Sequence, residues 1–204
     1  MPTKYQTREQ WLNHAVDLII DKYRDVFMTH FGEDGMDHLE HLKVSTGFPS
    51  RGGLTKVIGE CWKAKAAEDE TTHHIFINPR LTEIVEVIAT LAHEMVHAAD
   101  DGEHKHKGPF VKAVRDMGLE GKATATVAGA GFAEWARSLG ETLGVYPHTG
   151  LVPLMVEKKQ TTRMLKLEAD CCGYIVRTTK KWLEVGTPSC PCGNPFNVED
   201  KEAE

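Results

Sequence analysis

The chain has 204 residues, 41% of them hydrophobic, enough for one domain of ordinary size with its own core plus a small appendage. A formal charge of -6 and a pI near 6.0 exclude a uniformly basic nucleic-acid binder and leave room only for a regional contact with DNA. The N-terminus has no apolar leader core, no stretch approaches the roughly 18–20 apolar residues of a membrane span, and five cysteines do not suit a secreted disulfide framework, so the reading is a cytoplasmic monomer without membrane contact.

Residues 7–31 carry Trp11, Ala15, Leu18, Ile19, Tyr23, Val26 and Phe27 at helical spacing, which predicts an amphipathic helix capped by Thr7 and broken at Gly32 to Gly35. A strand is predicted from Leu42 up to Pro49, a second over 56–62 and a third over 74–78, together a small antiparallel sheet. The third strand is either an edge on which an extended substrate pairs or an ordinary core strand. Cys61 stands alone and reads as a buried apolar residue.

A helix is then predicted from Thr82-Glu83 to Asp100-Asp101-Gly102, with Gly102 as the residue that ends it. Ile84, Val85, Val87, Ile88, Leu91, Ala92, Met95 and Val96 cover most of its circumference, which marks a core helix. Against that background Glu86, Thr90, His93 and His97 form one polar stripe, and a buried polar stripe needs partners. His93-Glu94-Met95-Val96-His97 places two imidazoles one turn apart with a carboxylate beside them, the arrangement of a zinc site for metal-assisted hydrolysis. With 11 His in 204 residues such a pentapeptide arises by chance at an expectation of about 0.05, so its context decides.

A hydrolytic zinc site takes three protein ligands, and the third must follow the helix. His106, at the entrance of a helix opened by Gly108-Pro109 and stopped at Gly118, is best placed to be held rigidly, with His104 and Glu103 as alternatives. The metzincin pattern is absent, since Asp100 and Glu103 stand where Gly and His are required. Residues 121–131 are small and polar, 132–143 resume a helical period, and 144–153 read as linker.

Leu91-Ala-His-Glu-Met-Val-His-Ala followed by His106-Lys-Gly-Pro-Phe110 resembles the SprT-like zinc metallopeptidases, which include the Spartan-type DNA-protein crosslink proteases. This chain has His106-Lys107-Gly108 where the family has His-Gly. The resemblance covers roughly residues 40–120 and implies an α+β, zincin-like peptidase domain with an N-terminal helix, a small sheet and the HExxH core helix. It implies His93, His97 and His106 as ligands of a catalytic zinc and Glu94 as the catalytic acid/base. For oxyanion stabilisation beyond the metal, Tyr146 and Arg115 are both open.

The resemblance extends to Cys171-Cys172-Gly173-Tyr174 and Cys190-Pro191-Cys192-Gly193, which look like two knuckles of a degenerate zinc ribbon, with 175–177 and 182–183 as strands. A regular first knuckle would place Cys at Ala169. Three arrangements stay open: a second, structural zinc on all four cysteines, one on three of them and another group, or a metal-free module. Over 157–181, Lys158, Lys159, Arg163, Lys166, Arg177, Lys180 and Lys181 outnumber Glu157, Glu168 and Asp170, a local excess that is either a DNA surface or a solvated strand face.

The division expected is a peptidase domain over 1–146, a linker over 147–160, a zinc-ribbon-like β module over 161–197 and an acidic tail over 198–204. The function expected is zinc-dependent cleavage of a protein substrate, with DNA-associated proteins as the implied class. The rivals are a non-catalytic DNA-associated zinc protein and a peptidase that removes a regulatory protein without touching DNA.

Overall fold

The computed structural model describes residues 4–50, 56–152 and 164–197. The expected acidic tail and most of the expected linker fall outside that set. The protein is α+β and divides into two compact units, Met1–Leu154 and Met155–Glu204. Among the described residues no helix is long and apolar enough to cross a membrane.

Helix α1 spans Arg8–Glu40 and is opened by a reciprocal cap, in which the Gln10 N–H donates to Thr7 Oγ1 at 3.2 Å and the Thr7 N–H to Gln10 Oε1 at 3.4 Å. Its apolar stripe, Trp11, Leu12, Ala15, Ile19 and Phe27, is fully buried. The expected break at Gly32 is a kink instead: Gly32 takes φ 65°, a conformation only glycine adopts cheaply, and the helix resumes to Glu40.

Strands β1 (Leu42–Thr46), β2 (Gly59–Trp62) and β3 (His73–Ile77) form a sheet of order β1-β3-β2. Its pairing corrects the expected antiparallel sheet, because β1 runs parallel to β3 and only β2 is antiparallel. A parallel pair needs a long crossover, and the 26 residues between Thr46 and His73 supply one that carries β2 back along the far side of β3. β3 is therefore the central strand, which removes it as a substrate edge and leaves β2 on the outside.

Helix α2 (Ile84–Ala99) buries Val87, Ile88, Leu91, Ala92, Met95 and Val96 against α1 and the sheet. It ends in paired reverse bonds, Asp101 N–H to Ala98 O at 3.0 Å and Gly102 N–H to His97 O at 3.0 Å. Asp101, not Gly102, is the first left-handed residue past the cap, with φ 41°. Helix α3 (Pro109–Asp116) begins with Pro109 in its first turn, as expected.

The small, polar stretch after it is not featureless. β4 (Leu119–Lys122) and β5 (Ala125–Ala128) form a hairpin that packs on α2, and α4 (Ala130–Leu143) closes the core. Residues 147–152, expected to begin the linker, are bound to this unit: Arg8 donates to the carbonyls of Pro147, His148 and Thr149, and the Leu151 N–H to Pro79 O.

In the second unit, β6 (Leu165–Glu168) pairs antiparallel with β7 (Ile175–Thr178). Lys180–Val185 is a short helix, α5, where a strand at Trp182-Leu183 was expected; Thr179 initiates it, with its carbonyl accepting from the Trp182 and Leu183 N–H groups. Leu167, Ala169, Cys190 and Phe196 make a four-residue core with Val176 and Leu183 against it. So small a core suits a module stapled by a metal.

Candidate metal centres and the cleft beside Glu94

His93 and His97 lie one turn apart on α2, and the loop after the helix brings His106 to them, so that one ring nitrogen from each lies within 4.8 Å of the other two. His97 Nε2 and His106 Nε2 are 3.1 Å apart. Two nitrogens bound at 2.0–2.1 Å to one tetrahedral ion lie about 3.3 Å apart, so this spacing fits a shared cation. Phe110, fully buried at the start of α3, packs against all three imidazoles, with ring centroids 5.2, 4.3 and 5.0 Å from His93, His97 and His106.

The three rings are neutral at physiological pH. Burial, reinforced by the neighbouring imidazoles, pulls His93 down to about 4 and His97 to about 3, and burial lowers His106 as well. Neutral imidazole is the form that binds a metal, so the cluster is poised to accept a cation without first losing protons.

The loop that delivers His106 is anchored at its start. The buried Asp100 carboxylate accepts the His104 backbone N–H at 2.9 Å and bonds the His104 ring at 2.6 Å, while Asp101 bonds the fully buried His73 at 3.0 Å. His104 is thereby engaged elsewhere and Glu103 is exposed, so of the three candidates for the third position only His106 joins the group.

Thr126 of the β4–β5 hairpin bonds His93 Nδ1 at 2.9 Å. A partner on one ring nitrogen fixes which nitrogen is free to bind metal, the usual role of groups behind a metal-ligating His. Nothing in the motif points to Thr126, 29 residues beyond His97. Arg115 holds the same hairpin by donating to Leu119 O at 2.6 Å and to Gly121 O. Arg115 is therefore spent on the scaffold, and Tyr146 is buried between Trp11 and Arg8; neither lines the cleft, so neither supports an oxyanion role.

Glu94 is buried, 7% exposed, and its carboxyl lies against Gly59 of β2. Burial, with the charge of Glu60, raises it to about 8, and the Cys61 backbone N–H bonds it and opposes that rise. β2 explains the contact. The Asn78 N–H donates to Ile58 O, so Ile58, Glu60 and Trp62 face β3 with their backbone groups, and those of Gly59 and Cys61 point to the other edge. Among the described residues no strand covers that edge. It borders a cleft of about 320 Å³ walled by residues 56–59 on one side and 124–127 on the other, with Thr90, His93 and Glu94 between.

In the second unit the sulfurs of Cys171, Cys172, Cys190 and Cys192 lie within 4.8 Å of one another, with Cys171 and Cys190 at 3.3 Å, and no disulfide is formed. Adjacent Cys171 and Cys172 both reach the cluster because the chain turns back at once: Gly173, at φ 68°, donates to Ala169 O at 2.8 Å. Gly193, at φ 85°, makes the matching turn onto Cys190 O. Ala169 fills the small core where a regular knuckle would carry a ligand. The set of four sulfurs can hold a metal, as can the three imidazoles.

Of the basic residues, Lys158, Lys159 and Arg163 lie outside the described set, Lys166 pairs with Glu168 at 2.8 Å, and Lys181 Nζ sits 5.5 Å from the ring centroid of Trp182. No family model, curated protein or solved structure matches the chain.

Proposed function

We propose that the chain is a zinc-dependent endopeptidase of the SprT-like kind, with Met1–Leu154 as a zincin-like catalytic domain. The observation that carries the reading is three neutral imidazole nitrogens within 4.8 Å of one another, with the buried carboxyl of Glu94 one residue after the first of them. An all-imidazole set with no thiolate or carboxylate suits Zn²⁺ and leaves a fourth position open. When bound, zinc supplies Lewis acidity, which brings the pKa of water to about 7 and polarises a carbonyl.

The protein's own residues supply the rest. The free edge of β2 offers the backbone groups of Gly59 and the carbonyl of Cys61 to an extended peptide, which aligns a carbonyl beside His93 and Glu94. Glu94 takes the proton of the attacking water and returns it to the departing amine as the C–N bond breaks. Thr126 keeps the His93 ring oriented, and Phe110 holds the three imidazoles together from beneath.

The test is Glu94→Gln, which keeps shape and removes the base. Zinc content should stay at the wild-type value while cleavage of unfolded casein falls by about 10²–10⁴-fold. Cleavage unchanged in a metal-loaded Glu94→Gln protein refutes the assignment and favours a structural role for the metal.

For Met155–Glu204 we propose a recruiting role: a structural zinc on four thiolates, and a contact with single-stranded DNA that would bring DNA-associated proteins to the protease. Exposed Trp182 and Tyr174, at 59% and 50%, with Lys181 beside Trp182, support it, since bases stack on aromatics while cations meet phosphates. Replacing Lys180 and Lys181 by Ala should weaken DNA affinity and flatten its salt dependence. Affinity indifferent to salt refutes the DNA contact and favours cleavage of a regulatory protein without DNA.

A further inference from the structure

We infer that the cleft beside Glu94 is the subsite for the residue on the carboxyl side of the scissile bond, and that it selects an apolar side chain there. The inference rests on the peptidase reading and adds to it a substrate class and a polarity of binding.

Position comes first. The cleft takes its β2 wall from residues 56–59 and none from 60–62. Cys61, whose N–H holds Glu94, thus lies at one end, and the cleft runs from Glu94 toward the N-terminal end of β2. Direction follows from strand pairing. A peptide added to the free edge in the antiparallel sense, the more stable per residue, runs opposite to β2. Its residues after the bond aligned with Glu94 therefore pass Gly59, Ile58 and Val57, and the first side chain turned inward enters the cleft.

Chemistry selects the side chain. Val57 and Ile58 on one wall and Ala125 and Val127 on the other are apolar. Val127 is 59% exposed and Ile58 37%, so both hold apolar surface that an incoming side chain would cover. The volume of about 320 Å³ admits a Leu, Met or Phe side chain with room to spare. An acidic residue would meet Glu94. Lys56, the one basic group on the lining, is exposed and so contributes little attraction. A basic residue would find its one counter-charge in Glu94, the base that must stay free for the attacking water, and otherwise meets Val57, Ile58, Ala125 and Val127.

The experiment maps new N-termini by mass spectrometry after digestion of denatured casein by the zinc-loaded full chain. Apolar residues should lead the new N-termini with about tenfold enrichment or more over their abundance. Val127→Asp, a change on an exposed hairpin position, should abolish that preference and raise Lys and Arg. A second arm needs no turnover: zinc-loaded Glu94→Gln should bind an acetylated alanine heptapeptide with a central Leu about tenfold more tightly than one with a central Lys, and Val127→Asp should remove the difference. Unselective or charged new N-termini, or a preference that Val127→Asp leaves in place, overturn the subsite. Apolar residues on the amino side of the cut overturn the antiparallel placement. Selective peptide binding without any cleavage overturns the peptidase reading and leaves the cleft as an apolar peptide-binding site; neither binding nor cleavage overturns both.

Discussion

Replacing Gly59 by alanine would put a methyl group 2.6 Å from Thr90 Cγ2, 2.8 Å from Glu94 Oε1 and 2.9 Å from Glu94 Cγ. Comfortable carbon contacts are about 3.5–4.0 Å, so about 1 Å of movement must be found. Thr90 cannot supply it easily, because its hydroxyl is tied to Glu86 O at 2.8 Å and its branched side chain has few rotamers in a helix. The Glu94 carboxyl must move instead, away from the Cys61 N–H and from its place beside His93. A displacement of that size at a catalytic group costs about 10²-fold in rate. Overpacking should also cost about 1–3 kcal/mol of stability, offset in part by the lower chain entropy of alanine, worth about 0.4–1 kcal/mol. The check has three readouts on one preparation: casein cleavage, zinc content and thermal midpoint. The expected outcome is a folded protein with wild-type zinc and about a hundredth of the activity. Full activity in folded, metal-loaded Gly59→Ala would refute the claim that β2 positions Glu94, and loss of zinc would show that the methyl group acts through His93 instead.

Two further changes probe the metal centres. Thr126→Val keeps the shape of the side chain but removes the partner of His93 Nδ1, so zinc affinity measured by chelator competition should fall by about 10–100-fold; unchanged affinity would deny Thr126 its orienting role. Cys190→Ser removes the most buried of the four sulfurs, so zinc per chain should drop from two to one while cleavage of casein survives; a wild-type count of one would refute the second site.

The site was legible where two periodicities disagreed. On α2 the apolar residues predict burial all round, and a polar stripe that survives such burial implies a ligand, which made His93, Glu94 and His97 readable from one segment. His106 was readable because a helix stop at 100–102 and a helix start at Pro109 bound a short loop that must return. What stayed hidden depends on contacts distant in sequence. The parallel register of β1 on β3 is set by burial of Leu42, Val44, Ile75 and Ile77 on a common face, and short alternating strands carry no mark of direction. In the hairpin of β4 and β5, Glu120, Gly121, Lys122, Ala125 and Ala128 are residue types depleted in strands and surround Thr126 and Val127, and the pair is held by Arg115 and by its packing on α2, so Thr126 had little local signal. Trp182 and Leu183 read as strand by residue type, whereas Thr179 starts a helix there.

The electrostatics of the first unit make a prediction about pH that separates the imidazoles from Glu94. In chelator, His93 and His97 titrate at about 4 and 3 when folded and near 6.5 when unfolded. A depressed imidazole contributes stability that is present above pH 6.5 and lost as pH falls toward 4 and 3, with a slope of up to about 2.7 kcal/mol per pH unit for the pair. Glu94 has the opposite sign. Its folded value of about 8 exceeds the ordinary carboxyl value of 4.5, so its contribution is present below 4.5 and lost as pH rises to 8, by up to about 1.4 kcal/mol per unit. Between 4.5 and 6.5 two imidazole protons outweigh one carboxyl proton and stability rises. Above 6.5 Glu94 acts alone and stability falls, which places the maximum for the chelated protein near pH 6.5. Denaturant melts across pH 4–9 check this, and Glu94→Gln should flatten the alkaline limb and leave the acid limb intact. A divalent cation on the three imidazoles would draw Glu94 back into the carboxylate range, because an adjacent positive charge favours the ionised form. Zinc binding at pH 7, measured by calorimetry in buffers of different ionisation enthalpy, should therefore release about one proton more from the wild type than from Glu94→Gln, since the four thiols and the bound water release alike in both. Equal release from both proteins would show that Glu94 is already ionised without the metal and refute its raised value.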